Sequence, residues 1–235
     1  MKTRAALLLL VTLAFGAAPF LTPPFRGYDP ALFPVQIARP SIQPAGYAFG
    51  IWSVIYLWLF AHAVTSLWKR AENPAWDRTR LPLIIAVALG SAWLSIAPVA
   101  PIAATVTILV MAAAAIAAFL LSDPQTDRWL LSAPTAILAG WLSAAAAVST
   151  GVVLAGYGWL SDSASALAMI AVTLALSLWV QRQKPAMPIY GLTVIWALAG
   201  IVTVNAGLNP TVGIAAGLGI AALALTLVQQ LKANR

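Results

Sequence analysis

Cysteine is absent from this 235-residue chain, histidine occurs once, and Asp and Glu together number only six. The missing thiols exclude disulfides, thiolate metal sites and a Cys nucleophile, and leave the redox compartment undetermined. There is no Walker loop, no dinucleotide fingerprint and no cluster of histidines for a metal. Charged residues make up 8% of the chain against roughly 25% in soluble domains, and 62% of it is hydrophobic. A water-soluble core could not bury that much apolar surface, so lipid is the expected solvent. The net charge of +7 comes from 13 Lys and Arg. These form no basic stripe with interleaved aromatics, so no nucleic-acid partner is expected.

What the chain has instead is long apolar runs. A bilayer core of ~30 Å needs about 20 such residues. Runs of that kind lie at 5–22, 45–68, 81–97, 101–121, 129–155, 163–181, 187–206 and 210–231. The expected fold is all-α, a polytopic transmembrane bundle of about eight helices. Lys2 and Arg4 before the first run also fit a signal peptide. Pro19-Phe20-Leu21 prolongs the apolar run past any small-residue cleavage site, so a retained helix is expected.

With the N-terminus in the cytoplasm, the inner segments hold Lys2, Arg4, Lys69, Arg70, Arg78, Arg80, Arg128, Arg182, Lys184, Lys232 and Arg235. The outer segments hold only Arg26 and Arg39. That asymmetry obeys the positive-inside rule and predicts both termini in the cytoplasm, in a bacterial inner membrane. All six acidic residues fall outside the eight runs, which argues against an ion-driven pump or acid/base hydrolysis within the membrane.

Residues 69–80 read as a charged inner link. Residues 23–44 read as an outer loop whose prolines (Pro23, Pro24, Pro30, Pro34, Pro40, Pro44) forbid regular helix. Phe25, Tyr28 and Phe33 in that loop suggest a lid over a site opening outward. Among ten tryptophans, Trp68, Trp76, Trp129, Trp159 and Trp179 lie near run boundaries and are expected as interface anchors. Trp52, Trp58, Trp93, Trp141 and Trp196 lie inside runs, where each indole N–H needs a partner. Weak repeats, Ala92-Trp93-Leu94-Ser95 and Gly140-Trp141-Leu142-Ser143 with a looser echo at Ile195-Trp196-Ala197-Leu198, put one Trp deep in each of three alternate helices. On a helix, Trp52 and Tyr56 stand about 40° apart, with Phe49 about 60° to the other side of Trp52. They make one aromatic stripe leading inward from the loop.

The run Arg39-Pro40, Pro44-Ala45-Gly46-Tyr47-Ala48-Phe49-Gly50, Trp52 and Tyr56 resembles the signature of TspO/MBR proteins. These are the tryptophan-rich sensory or translocator proteins, related to the mitochondrial peripheral benzodiazepine receptor. Trp93 and Trp141 resemble the family tryptophans of the third and fifth helices. Tyr47 stands where the family has its first Trp, and the step from Phe49 to Trp52 is one residue short. Gly90 and Ser149 stand where asparagines are usual. The family is five helices long, so the resemblance implies a core over 1–156 and a three-helix C-terminal extension over 157–235.

The resemblance implies a porphyrin or haem-like ligand, or a sterol-like one, in a pocket under the outer loop, with a sensory, regulatory or transport role. Tyr47, Phe49, Trp52, Tyr56, Trp93 and Trp141 would hold the rings, and Arg39 would pair with carboxylates at a porphyrin rim. No catalytic and no metal-binding residue is expected. His62 is either an axial haem ligand or a helix-contact residue. Asn205 is expected to bond across helices, and Gly213 and Gly217 to allow close helix packing. Two other readings stand beside ligand binding. One is a small-molecule permease; the other is an assembly partner in a larger membrane complex, with a homodimer or another membrane protein docked on the Ala/Gly faces.

Overall fold

In the computed structural model, residues 1–233 are described; Asn234 and Arg235, part of the basic C-terminal end, lie outside the described residues. Among the described residues there are eight α-helices and no strand. They are α1 (Lys2–Leu21), α2 (Ile51–Trp68), α3 (Pro74–Ile96), α4 (Pro101–Leu121), α5 (Ala133–Gly156), α6 (Asp162–Gln183), α7 (Ile189–Leu208) and α8 (Pro210–Ala233). Each belongs to a segment long and apolar enough to cross a bilayer.

Three boundaries differ from expectation, each for a local reason. α3 begins at Pro74 instead of 81, so most of the supposed link is helix and Asp77 lies within it. The Asn73 side chain accepts from the Ala75 and Trp76 amides at 2.9 and 3.3 Å, and Pro74 supplies a preset φ for the first turn. Residues Gly46–Gly50 form a 3-10 turn, so Phe49 enters on a tighter spiral than the α-helix that carries Trp52 and Tyr56. Residues Arg128–Ser132 form a π-turn ahead of α5. The carbonyls of Trp129 and Leu130 in that turn accept from the Trp58 indole (2.7 Å) and the His62 Nδ1–H (2.7 Å).

α1, α2, α5, α4 and α3 pack in that order into a closed ring. α6, α7 and α8 form a second layer on the far side of α5. α5 is therefore covered nearly all round: every residue except Ala145, Val148, Thr150 and Leu154 is buried. Its sequence is mostly Ala, Gly, Ser and Val, which lets helices approach closely. At Gly140 an added Cβ would stand 2.7 Å from the Tyr190 carbonyl oxygen and 2.8 Å from the Thr193 Cβ, both on α7. Gly217, by contrast, has nothing within 4 Å and packs against no helix.

The end of the bundle opposite the 23–44 loop is tied by charge. Arg80 is completely buried. Its guanidinium donates to Ser66 Oγ (2.9 Å), to the Ala71 and Arg70 carbonyls (2.9 and 2.6 Å) and to Asp77 (3.0 Å). It thereby caps carbonyls around the end of α2, where the helix leaves them without partners. Trp76, expected as an interface anchor, is instead fully buried. It stacks on His62 at 4.9 Å and donates to Asp127 at 2.9 Å. Asp127 also accepts from Arg70 Nε at 2.8 Å, and that bond holds its carboxyl below the usual range. Trp68, Trp129, Trp159 and Trp179 are exposed on the outer surface of the bundle.

Close approach at Gly140 has a measurable consequence. Gly140→Ala must push α5 and α7 apart, at a cost of about 1–3 kcal/mol, whereas Gly217→Ala costs less than about 0.5 kcal/mol. Thermal denaturation in detergent will compare them; equal melting temperatures would mean that the α5–α7 contact is looser than described.

Candidate ligand cavity beneath the loop

Helices α1–α5, the 23–44 loop and, through Ala197 and Ile201, α7 together line a cavity of about 300 Å³, at the lower end of the range of small-molecule pockets. Its wall is aromatic. Trp52 and Tyr56 of α2 stack on each other (5.4 Å, 20°), and Phe15 of α1 meets both edge-on at 5.8 and 4.9 Å. Trp141 of α5 stands edge-on to Trp52 (6.1 Å) and to Phe49 (5.9 Å). Trp93 of α3 is held by its indole N–H donating to the Ala104 carbonyl of α4 at 2.9 Å. Above it lies Phe25 of the loop, edge-on at 4.8 Å.

Such edge-to-face and offset contacts between rings add roughly 0.5–1.5 kcal/mol per pair beyond burial, so the wall is firm before any ligand arrives. No charged side chain lines the cavity. Its polar groups include the Trp141 indole N–H, which has no partner among the described residues, and Tyr28, whose hydroxyl lies 2.6 Å from Ser149 Oγ, with Thr105 Oγ1 2.7 Å beyond. Burial pushes the Tyr28 hydroxyl pKa up, so the phenol is protonated at neutral pH.

The loop is fastened at its far end and bent at its near end. The Ser41 amide and hydroxyl both donate to Asp162 at the start of α6, the amide at 3.0 Å. Asn205 of α7 donates to the Ser41 carbonyl at 2.7 Å, and the Ala45 amide donates to the Gly200 carbonyl at 3.0 Å. Asn205 thus binds the loop and its own helix, not a neighbouring helix as expected. Gly27 makes the near bend with φ +122°, a conformation suited to glycine, and the Gln43 side chain fills the space where a Cβ would stand. Pro23, Pro24, Phe25 and Tyr28 then cross the cavity.

Of the residues singled out in the sequence, Phe49, Trp52, Tyr56, Trp93 and Trp141 line this one cavity. Tyr47 and Arg39 do not. The Tyr47 ring stands edge-on to Trp196 at 5.5 Å with its hydroxyl 3.1 Å from Thr203, on the side facing α7. Arg39 is exposed and makes no ion pair or hydrogen bond among the described residues. His62 is completely buried away from the cavity lining. No group of three potential metal ligands occurs among the described residues.

Sequence reasoning missed Phe15 and Met111 as wall residues, whereas Phe25 and Tyr28, expected in a lid, do line the cavity. Phe15 had a signal: the buried positions of α1, namely Ala5, Leu8, Thr12, Phe15 and Ala18, recur at helical spacing. It also explains Gly90, where an added Cβ would stand 2.5 Å from the Phe15 ring.

A family model described as TSPO-like protein matches residues 35–229. The match takes in five of the wall residues named from sequence and runs on through α6 and α7 into α8. No curated protein and no solved structure matches the chain.

The position of His62 generates a prediction. His62→Leu leaves the Leu130 carbonyl without its side-chain donor and should cost about 1–3 kcal/mol of stability. It should leave the affinity of any cavity ligand within about twofold, since no lining side chain is changed. A melt and a binding titration on the same preparation check both, and a large loss of affinity with an unchanged melt would return His62 to the site.

Proposed function

The chain belongs to the TSPO-like family, and from that premise we propose that it holds an apolar, largely planar ligand in the cavity under its 23–44 loop. It is an integral, multi-pass membrane protein. The observation that carries the reading is the convergence of Phe15, Phe49, Trp52, Tyr56, Trp93 and Trp141, from four helices and a turn, on one uncharged cavity. Rings arranged in this way offer faces and edges to a flat molecule and little to a small polar solute. A tetrapyrrole or a sterol-like body suits that wall, and the role is sensory or translocating.

Within this reading residues 1–156, with α1–α5, form the main ligand-holding part, to which α7 adds Ala197 and Ile201. The extension, 157–235, serves as a brace that fastens the far end of the loop through Asp162 and Asn205. The family match crosses the boundary between the two parts, which supports a single working unit. We place both termini in the cytoplasm of a bacterial inner membrane. An even number of spans and the basic residues gathered at the end opposite the loop support this orientation.

Two outcomes test the proposal. Trp52→Ala should weaken binding of a neutral porphyrin dimethyl ester several-fold, about 1 kcal/mol, whereas Trp159→Ala, on an exposed ring, should change it little. Tryptophan quenching titrations measure both, and equal affinities for wild type and Trp52→Ala would remove the cavity as the binding site. For orientation, the chain's lack of cysteine permits clean single-Cys labelling. An impermeant maleimide should reach Ala38→Cys on intact cells and Gln125→Cys only after lysis; the reverse pattern would invert the topology.

A further inference from the structure

We propose that Tyr28 and Ser149, backed by Thr105, form a hydrogen-bonding subsite for one uncharged hydroxyl group on the ligand, and that the same cavity discriminates against carboxylates. This rests on the reading of the cavity given above and adds what the polar end of the ligand must be. Tyr28 and Ser149 both line the cavity. The three hydroxyls form a chain: Tyr28 to Ser149 at 2.6 Å, Ser149 to Thr105 at 2.7 Å, and Thr105 Oγ1 donating to the Pro101 carbonyl at 2.8 Å.

Proton accounting gives the chain a direction. Thr105 spends its proton on Pro101, so Thr105 accepts from Ser149, and Ser149 accepts from Tyr28. Every proton in the chain is then committed inward. What remains at the cavity surface is the Tyr28 oxygen with a free lone pair, an acceptor awaiting a donor. A ligand hydroxyl supplies that donor. A ligand carbonyl would require the whole chain to reverse and Thr105 to give up its bond to Pro101. A carboxylate can do neither at this subsite: it brings no proton, and although the Trp141 indole N–H deeper in the wall is an unpartnered donor, the lining holds no cation to balance the charge. Stripping water from an unpaired carboxylate costs far more than stripping it from a hydroxyl.

The location fits an amphiphile held with its polar end outward. Thr105 lies in the first turns of α4 and Ser149 in the last turns of α5, both toward the loop end, while Trp141 lies about two turns deeper on α5. Pro23 and Pro24, the exposed residues of the lining, mark the mouth on that side.

Three probes sharing one flat ring system isolate the subsite: pyrene, 1-pyrenemethanol and 1-pyrenecarboxylate. Tryptophan-to-pyrene energy transfer in the detergent-purified full chain reports binding of each. Wild type should bind the alcohol more tightly than the carboxylate. Tyr28→Phe should weaken the alcohol by roughly three- to tenfold while leaving pyrene within about twofold. Ser149→Ala, which keeps the loop ring intact, should act in the same direction and covers the case in which Tyr28→Phe fails to fold. Equal losses for alcohol and hydrocarbon would reduce Tyr28 to a shape-giving residue and overturn the subsite. A carboxylate that binds as well as the alcohol would overturn the discrimination. If pyrene itself gives no energy transfer in wild type, the cavity reading falls and takes this inference with it.

Discussion

The arrangement depends on one requirement, that α5 be enclosed by protein on nearly every side. A helix so placed cannot carry large residues all round, and α5 is mostly Ala, Gly, Ser and Val, with Trp141 as its one large ring. Gly140 brings α7 close enough on one side that no Cβ would fit. On the other side the small residues Ala144, Ala145 and Ser149 leave space unfilled, and that space is part of the cavity. The property that lets α6 and α7 pack tightly behind α5 also leaves room in front of it. In a bilayer, where apolar faces gain nothing from avoiding lipid, such close van der Waals approach is a main source of helix association.

The course of the 23–44 loop follows from the same packing. A segment with six prolines satisfies few of its own backbone groups, so it needs partners elsewhere. It finds them on the second layer: Asp162 for the Ser41 amide, Asn205 for the Ser41 carbonyl, the Gly200 carbonyl for the Ala45 amide. Gly200 also admits Pro44 where a Cβ would stand 2.8 Å from the proline ring. α6 and α7 therefore set where the loop begins its return across the cavity, and α7 also reaches the wall directly through Ala197 and Ile201.

Much of this was legible in the sequence because it is local. α4 keeps its expected bounds, set by Pro101 at its start and by Ser122-Asp123-Pro124 at its end. Trp52, Tyr56, Trp93 and Trp141 could be named because helical spacing and depth in a span are properties of one segment at a time. The misreadings are of two kinds. The charges of 69–80 obscured a capping signal at Asn73-Pro74 that was available. Trp76 was misread for a different reason, since its partners His62 and Asp127 are remote in sequence and nothing local announces them. Arg39 belongs with Trp76. It is close to the aromatic stripe along the chain, yet Ser41 is pinned to α6 between them, and nearness in sequence did not become a place in the cavity wall.

The distribution of charge completes the account. The buried Arg80 sits at the end opposite the loop, fully engaged with Ser66, Asp77 and carbonyls around the end of α2. Its charge is consumed in holding α1, α2 and α3 together, for it also reaches the Met1 carbonyl at 3.4 Å. The cavity end has no equivalent. Its nearest cations along the chain, Arg26 and Arg39, are both exposed, and neither lines the cavity. In a low-dielectric enclosure an unpaired ion is far costlier than an unpaired hydroxyl. On the proposed reading, a wall of rings without a counter-charge would select by charge even before it selects by shape. The polarity it does offer, the Tyr28–Ser149–Thr105 chain near the loop and the unpartnered Trp141 indole N–H deeper in, is of the kind that neutral groups can complete.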